Sequence, residues 1–147
     1  MRYKTIEEGL AGHQRILVHT VGVSMEPLLH DHKSTVVLEK PKGPLKRGDV
    51  VLYRRPTGEC ILHRVTAARN GVYRIRGDNC LWSELVPQEW VIGSMVGYYP
   101  DEGDCFTSCT DREYRGYLYM LPWRYGYLLL HSILGRVVRK TKRCLGV

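Results

Sequence analysis

The chain has 147 residues, of which 44% are hydrophobic and 25% are charged. These proportions are those of an ordinary globular domain, and they exclude disordered and fibrous proteins. Lysine and arginine together number 22 against 15 aspartates and glutamates, so the net charge is +7. A basic excess of this size favours an anionic partner such as a membrane surface, a nucleic acid or an acidic peptide.

Neither the first residues nor the cysteines carry a clear targeting or metal signal. Residues 1–10 contain four charges and no apolar run, so we expect no cleavable signal peptide. The five cysteines include no CxxC pair, and the spacing of Cys105 and Cys109 is only weak evidence for a bridge or half a metal site. His30 and His32 lack a third ligand at a useful spacing. We therefore expect reduced thiols, no metal and no cofactor.

The first hundred residues predict a β domain. Residues 1–20 form an N-terminal segment that indicates a short helix or a loop. Short β-branched runs follow, and turns rich in glycine and proline separate them. These predicted strands cover residues 34–39, 49–53, 60–66, 72–76 and 91–99. Because no helical pattern lies between them, the sequence predicts a mainly β, mostly antiparallel core over residues 21–99.

The remainder of the chain changes character. Residues 100–111 are polar and irregular, and they predict a linker. Over residues 112–147, apolar side chains recur at helical spacing beside many cations, which predicts a basic amphipathic helical tail broken by Pro122. Tyrosine and tryptophan flank the stripe, as in helices that lie in a membrane interface. The alternative is a helix that packs on the β domain with its charges in solvent.

Ser24 is the predicted nucleophile, in the run Gly-Val-Ser-Met-Glu-Pro at residues 22–27. A serine hydroxyl attacks effectively only beside a base that takes its proton. Gly22 lets backbone N–H groups approach the carbonyl under attack, so the Ser24 N–H and the Gly22 turn predict an oxyanion hole. Pro27 would fix the exit from the turn. Taken alone, the motif is also compatible with a simple turn.

His63 is the predicted base, and it lies inside the third predicted strand. Histidine is the natural general base at neutral pH, although a lone strand histidine is more often part of a core. Because side chains alternate along a strand, His63 points one way and Arg64 the other. A third element, residues 77–84, begins Gly-Asp-Asn and supplies Asp78, Ser83 and Glu84; a turn that caps the strand is its simplest interpretation.

In order and spacing these three elements resemble the signal peptidase I and LexA-type superfamily of serine peptidases. There, Ser-Met-x-Pro supplies the nucleophile, a later strand the base, and a Gly-Asp-Asn loop shapes the catalytic centre. The resemblance covers about residues 20–98, and it includes Gly-Asp-Val-Val at 48–51 and Val-Pro at 86–87. It implies a β-ribbon catalytic core and a serine endopeptidase that works through an acyl-enzyme.

Position 63 distinguishes the subtypes within that superfamily. Bacterial signal peptidases and LexA-type repressors carry lysine there, whereas the endoplasmic-reticulum type and its relatives carry histidine. The resemblance thus implies a Ser24–His63 pair, with Asp78 preferred as the residue that orients the far nitrogen of His63. Glu84 lies where the endoplasmic-reticulum type places an acidic residue, and Ser83 resembles a hydroxyl that contacts the base in the lysine type. Both stay open as orienting residues.

The resemblance also implies an extended peptide or precursor-protein substrate, with small side chains before the cut, bound as an added strand. The 23 residues before Ser24 are too polar for a spanning helix, and they leave no room for a DNA-binding domain, so we expect no nucleic acid partner. We expect peripheral membrane contact through the stretch from Tyr114 to Arg143, with a cytoplasmic domain as the alternative. We also expect the β domain to fold without residues 112–147. A LexA-type self-cleaving protein and a non-catalytic binding protein on the same fold are the competing hypotheses.

Overall fold

The structure, a computed structural model, describes residues 5–101 and 105–145, with side chains in the last helix as far as residue 136. The predicted mainly β core followed by a C-terminal helix is confirmed. In chain order the elements are α1 (Ile6–Gly12), β1 (Ile16–His19), β2 (Thr35–Glu39), β3 (Val50–Arg54), β4 (Cys60–Arg69), β5 (Val72–Arg76), β6 (Glu84–Pro87), a 3-10 turn (Gln88–Trp90), β7 (Val91–Tyr99), β8 (Thr107–Ser108) and α2 (Arg112–Leu145).

The strands form one sheet in the order β1-β2-β7-β3-β4-β5-β6, with β8 paired to β7. All pairs are antiparallel, and all five predicted strands are present. The sequence patterns missed β1, β6 and β8, which have only four, four and two residues. β1 lies in the segment predicted as a helix or loop, and β8 lies in the predicted linker. Such short segments carry too little periodicity to be recognised, and pairing with a longer neighbour makes them strands.

The core lies on both faces of the sheet because its central strand is buried on both sides. In β3, Val50 and Leu52 belong to one apolar cluster, which also holds Met25 from the Ser24 turn. Val51 and Tyr53 belong to a second cluster on the opposite face. All four β3 side chains are buried. A rigid, doubly buried strand therefore stands beside β4, which carries His63.

The C-terminal helix differs from its prediction in two ways. First, α2 runs unbroken through Pro122, so the predicted break is wrong. Second, its first turns pack on the core, since Tyr114 and Leu121 are buried and the Tyr114 ring lies 6.3 Å from that of Tyr98. This packing holds the helix together across the hydrogen bond that a proline cannot donate. The segment predicted as a separate tail thus shares buried contacts with the β domain.

Some of the tail lies outside the described side chains. These are the cations Arg139, Lys140, Lys142 and Arg143. Among the described helices, none combines the length and the apolar character that crossing a membrane requires.

Candidate active site

The Ser24 turn connects β1 to β2 and is held from both sides. Gly22 adopts a φ of +95°, which favours glycine, and its N–H donates to Oδ1 of Asp31 at 2.6 Å. On the other side, the buried Met25 packs into the apolar cluster below. Ser24 itself is half-buried, and it lies between Val23, which is exposed, and Met25, which is buried. The turn therefore presents the serine hydroxyl at a fixed position on the surface.

The structure brings Ser24 and His63 together. Nε2 of His63 lies 3.0 Å from Oγ of Ser24, although 39 residues separate them in sequence. Burial lowers the pKa of His63, an effect that Arg55 reinforces and that the carboxylates of Glu84 and Asp78 oppose. The imidazole is consequently neutral at physiological pH. A neutral imidazole within hydrogen-bond reach of a hydroxyl can accept its proton.

A tyrosine stands behind the imidazole. Val51 pairs with His63 between β3 and β4, so Tyr53 is its diagonal neighbour on the same face. The Tyr53 hydroxyl lies 3.5 Å from Nδ1 of His63 and donates a hydrogen bond to Oε1 of Glu84. The motif analysis missed Tyr53. The sequence carries no local signal for it, because the place of Tyr53 depends on the register between β3 and β4.

Glu84 is paired with a cation as well as with Tyr53. Nη2 and Nε of Arg55 donate to its two carboxylate oxygens at 2.7 and 3.1 Å. Burial alone would raise the pKa of Glu84, but the hydrogen bonds from Arg55 and Tyr53 hold it below its usual value. Glu84 is thus an ionised carboxylate connected to His63 through one hydroxyl group.

Asp78 does not contact His63, and the preference for it as the orienting residue is corrected. Its carboxylate accepts two hydrogen bonds from Arg64, at 2.8 and 2.6 Å, and both side chains are almost fully buried. Tyr117 and Tyr125 of α2 also donate to it, at 3.0 and 3.4 Å. The reason is strand alternation: Asp78 pairs with Arg64, whose side chain points to the opposite face of the sheet from that of His63. Ser83 is exposed and forms no hydrogen bond within residues 5–101 and 105–145.

The other residues of the Gly-Asp-Asn loop fasten it to the Ser24 turn. A Cβ at Gly77 would lie 2.6 Å from the carbonyl oxygen of Ser24 and 3.0 Å from Nε2 of His63, so only glycine fits. The N–H of Asn79 donates to that same Ser24 oxygen at 2.8 Å. Its side-chain amide donates to the carbonyl of Val23 at 3.1 Å and accepts from Arg124 of α2 at 2.8 Å. The loop therefore positions Ser24 through contacts with the backbone of its turn.

The two backbone donors of the predicted oxyanion hole, Ser24 and Gly22, differ in whether they are already hydrogen-bonded. The Ser24 N–H has no acceptor among the described residues, so it is available to a ligand. The Gly22 N–H, in contrast, is already bonded to Asp31. Gly22 thus contributes its backbone conformation to the turn, and Ser24 supplies the donor.

An apolar cavity of about 320 Å³ opens beside Ser24. It is lined by the Ser24 turn together with side chains from α1 and from strands β1 to β4. The lining residues are Ile6, Val18, His19, Thr20, Val21, Gly22, Ser24, Met25, Leu29, Val36, Leu52, Cys60, Ile61 and Leu62. A cavity of this size accommodates a side chain or a short peptide segment.

Two unpaired strand edges border this cavity. Over the described chain, β1 pairs only with β2, which leaves its other edge free. The pairing of β4 with β5 begins at Arg64, so residues 60–63 of β4 pair with β3 alone. Val18 on the first edge and Leu62 on the second both line the cavity. Free N–H and C=O groups on such edges are sites where an extended peptide can add as a strand.

Comparison with family models, with curated proteins and with solved structures finds no match to this chain. Within the described residues, no cluster of three histidine, cysteine or acidic side chains is arranged to hold a metal ion. Cys60, Cys80, Cys105 and Cys109 are free thiols.

Proposed function

We propose that this protein is a signal peptidase I-like serine endopeptidase that uses Ser24 as nucleophile and His63 as base. The observation that carries the proposal is the 3.0 Å approach of Ser24 Oγ to His63 Nε2, with burial holding the imidazole neutral. The free Ser24 N–H and the adjoining apolar cavity support it. Gly77 and Asn79 of the Gly-Asp-Asn motif contact the Ser24 turn, and this contact between the two motifs supports the proposed superfamily.

The chemistry follows from the positions of these groups. Oγ of Ser24 attacks the scissile carbonyl carbon while Nε2 of His63 takes the hydroxyl proton. The resulting oxyanion accepts a hydrogen bond from the Ser24 N–H. The C–N bond then breaks as His63 returns the proton to the leaving amine, and the acyl-enzyme remains. Water attacks that ester with His63 again as base, which releases the carboxylic product and restores Ser24.

The substrate of this reaction is an extended peptide or a precursor protein. Its backbone would pair with the free edges of β1 and of residues 60–63 in β4, and one side chain would enter the apolar cavity. Most of the side chains that line the cavity are aliphatic, so small or aliphatic residues before the cut fit it best. Removal of a signal or leader peptide from a precursor has this chemistry.

A serine-directed acylating probe, such as an activated ester, tests the proposal directly. Incubation with the wild-type chain should add one acyl group to Ser24, which peptide mass spectrometry would locate. Ser24→Ala and His63→Ala should each abolish the adduct, because one lacks the nucleophile and the other lacks the base. His131→Ala, which removes an exposed histidine on α2, is the matched control and should react like the wild type.

Two competing functions predict different results in this experiment and in one further incubation. A non-catalytic binding protein would show no adduct at Ser24, and an adduct that persists in His63→Ala would remove His63 from the mechanism. A LexA-type self-cleaving protein would lose mass on incubation at raised pH without any added substrate. Peptides that accumulate in a Ser24→Ala strain would identify the natural substrate.

We further propose that α2 attaches the protein peripherally to a membrane, in preference to a freely cytoplasmic location. The face of α2 opposite the buried Tyr114 and Leu121 carries large apolar side chains that are all at least 43% exposed. These residues are Tyr119, Met120, Trp123, Tyr127, Leu130, Ile133 and Leu134. Aromatic side chains suit the headgroup region, and the arginines and lysines later in the helix suit an anionic leaflet. We call this surface the outer face of α2.

A further inference from the structure

We propose that Tyr53 is a positioning residue that sets the tautomer of His63. In a catalytic triad, a carboxylate in direct contact with the imidazole has this role. The Tyr53 hydroxyl lies between Nδ1 of His63, at 3.5 Å, and Oε1 of Glu84. For its consequence in catalysis this inference rests on the proposed function. The tautomer itself is a property of the free protein.

The direction of these hydrogen bonds follows from the number of protons available. Burial and the nearby Glu84 carboxylate raise the pKa of Tyr53, so the phenol keeps its proton. An ionised carboxylate only accepts, and the single phenolic proton therefore points to Glu84. The Tyr53 oxygen is then an acceptor toward His63. Because a neutral imidazole has one proton, a hydrogen bond between His63 and Tyr53 requires that proton on Nδ1.

This tautomer is the one that the reaction needs. With the proton on Nδ1, Nε2 has a free lone pair directed at Oγ of Ser24, 3.0 Å away. With the opposite tautomer, Nε2–H would face the serine and could not take its proton. Tyr53 is fully buried in the second apolar cluster, so its hydroxyl cannot turn away to water. The phenol therefore holds the imidazole in its reactive form.

Glu84 acts on Tyr53 more than on the charge of the imidazole. Arg55 donates to both of its carboxylate oxygens, which neutralises much of its field at His63. This agrees with a His63 pKa that remains lowered despite the nearby carboxylate. The base consequently stays unprotonated into weakly acidic solution, whereas a carboxylate bonded directly to Nδ1 would raise its pKa.

The test is the tautomer of His63, read from imidazole ¹⁵N shifts of the labelled full-length protein at about pH 8, where histidine is neutral. A His63→Gln variant assigns the signal. The wild type should show Nδ1–H, and Tyr53→Phe should shift the population toward Nε2–H. In the same variant, acylation of Ser24 should slow about 10- to 100-fold, part of what a general base contributes.

Two substitutions of Glu84 make the inference falsifiable even if Tyr53→Phe does not fold. Glu84→Gln keeps an oxygen acceptor for Tyr53 and should retain Nδ1–H. Glu84→Leu removes the acceptor, so the Tyr53 proton should turn to Nδ1 and the tautomer should reverse to Nε2–H. A wild-type Nε2–H tautomer, or Nδ1–H in every variant, would overturn the inference. If Ser24 resists acylation while the tautomers change as stated, the proposed function fails and the role of Tyr53 stands.

Discussion

His63 and Arg64 are neighbours in β4, yet they belong to two polar clusters with opposite properties. His63 faces Ser24, and it is half-buried. Arg64 points to the other face of the sheet, where it is 2% exposed and pairs with the fully buried Asp78. Each cluster contains one carboxylate: Asp78 from the loop that follows β5, and Glu84 from the start of β6, where that loop ends. One cluster is open to a ligand, and the other is closed.

The difference shows how one loop can both support a site and take part in it. The carboxylate of Asp78 is occupied by Arg64, Tyr117 and Tyr125, so it can only hold the loop and α2 in place. Arg64 also donates to Tyr114, which joins the helix to the same cluster at 2.7 Å. Glu84 instead reaches His63 through Tyr53. Substitutions of the two carboxylates should therefore give different results.

The largest expected effect on stability is that of Asp78→Asn. Removing one partner of a buried ion pair leaves Arg64 charged and uncompensated, which should lower the free energy of unfolding by about 3–5 kcal/mol. Urea denaturation followed by circular dichroism would measure it.

Deletion of residues 112–147 should also destabilise the β domain, since it removes the hydrogen bonds of Tyr114 and Tyr117 to the same buried ion pair. This prediction replaces the expectation that the β domain folds without those residues.

Glu84→Gln is the matched control, because it removes the same charge six residues further along the chain, at the first residue of β6. Its partner Arg55 is 37% exposed at the side chain, so water can solvate the guanidinium left behind. The expected loss of stability is below about 1 kcal/mol. Equal losses in the two variants would show that the Asp78 cluster is not the anchor that its burial indicates.

Gly77→Ala should disturb the contact between the Gly-Asp-Asn loop and the Ser24 turn. The new methyl group would meet the Ser24 carbonyl oxygen at 2.6 Å, and this backbone oxygen cannot move away without shifting Ser24. We expect a loss of about 1–3 kcal/mol in the free energy of unfolding and slower acylation of Ser24. Gly43→Ala is the control, since nothing lies within 4 Å of a Cβ there. If both glycines tolerate alanine, the loop does not position the serine.

The outer face of α2 can be tested without disturbing the face that joins the Asp78 cluster. Trp123 and Leu130 are 82% and 57% exposed, so serine at both positions should leave the fold intact. Binding to anionic vesicles, measured by sedimentation, should fall at least about tenfold, because each buried apolar side chain contributes on the order of 1.5–3 kcal/mol. Leu85→Ser, an equally exposed site on β6, should bind like the wild type. Raised salt should weaken binding by the unaltered chain.

The smallest expected effect is a shift in pH dependence. Since burial lowers the pKa of His63, the acid limb of Ser24 acylation should have its midpoint below about 6.5. The carboxylate of Glu84 raises that pKa, so Glu84→Gln should move the midpoint to still lower pH. Asp78→Asn should move it in the same direction by less, because Asp78 has the weaker influence. A midpoint that rises in Glu84→Gln would contradict this electrostatic account.

The sequence by itself determined the local features of this protein. Five β-branched runs were sufficient to predict five strands, since alternation and turn residues act over a few positions. The same alternation placed His63 and Arg64 on opposite faces. The motifs around Ser24, His63 and residues 77–79 pointed to one site, in which Ser24 and His63 meet although 39 residues separate them.

Only the tertiary structure decided which carboxylate faces which side chain. The loop from Gly77 to Glu84 crosses the edge of the sheet, so Asp78 and Glu84 serve opposite faces, and no local pattern records that path. The place of Tyr53 behind His63 depends on the register between β3 and β4. Likewise, α2 continues through Pro122 because its buried face packs on the core. Long-range pairing and burial overrode local propensity at each of these positions.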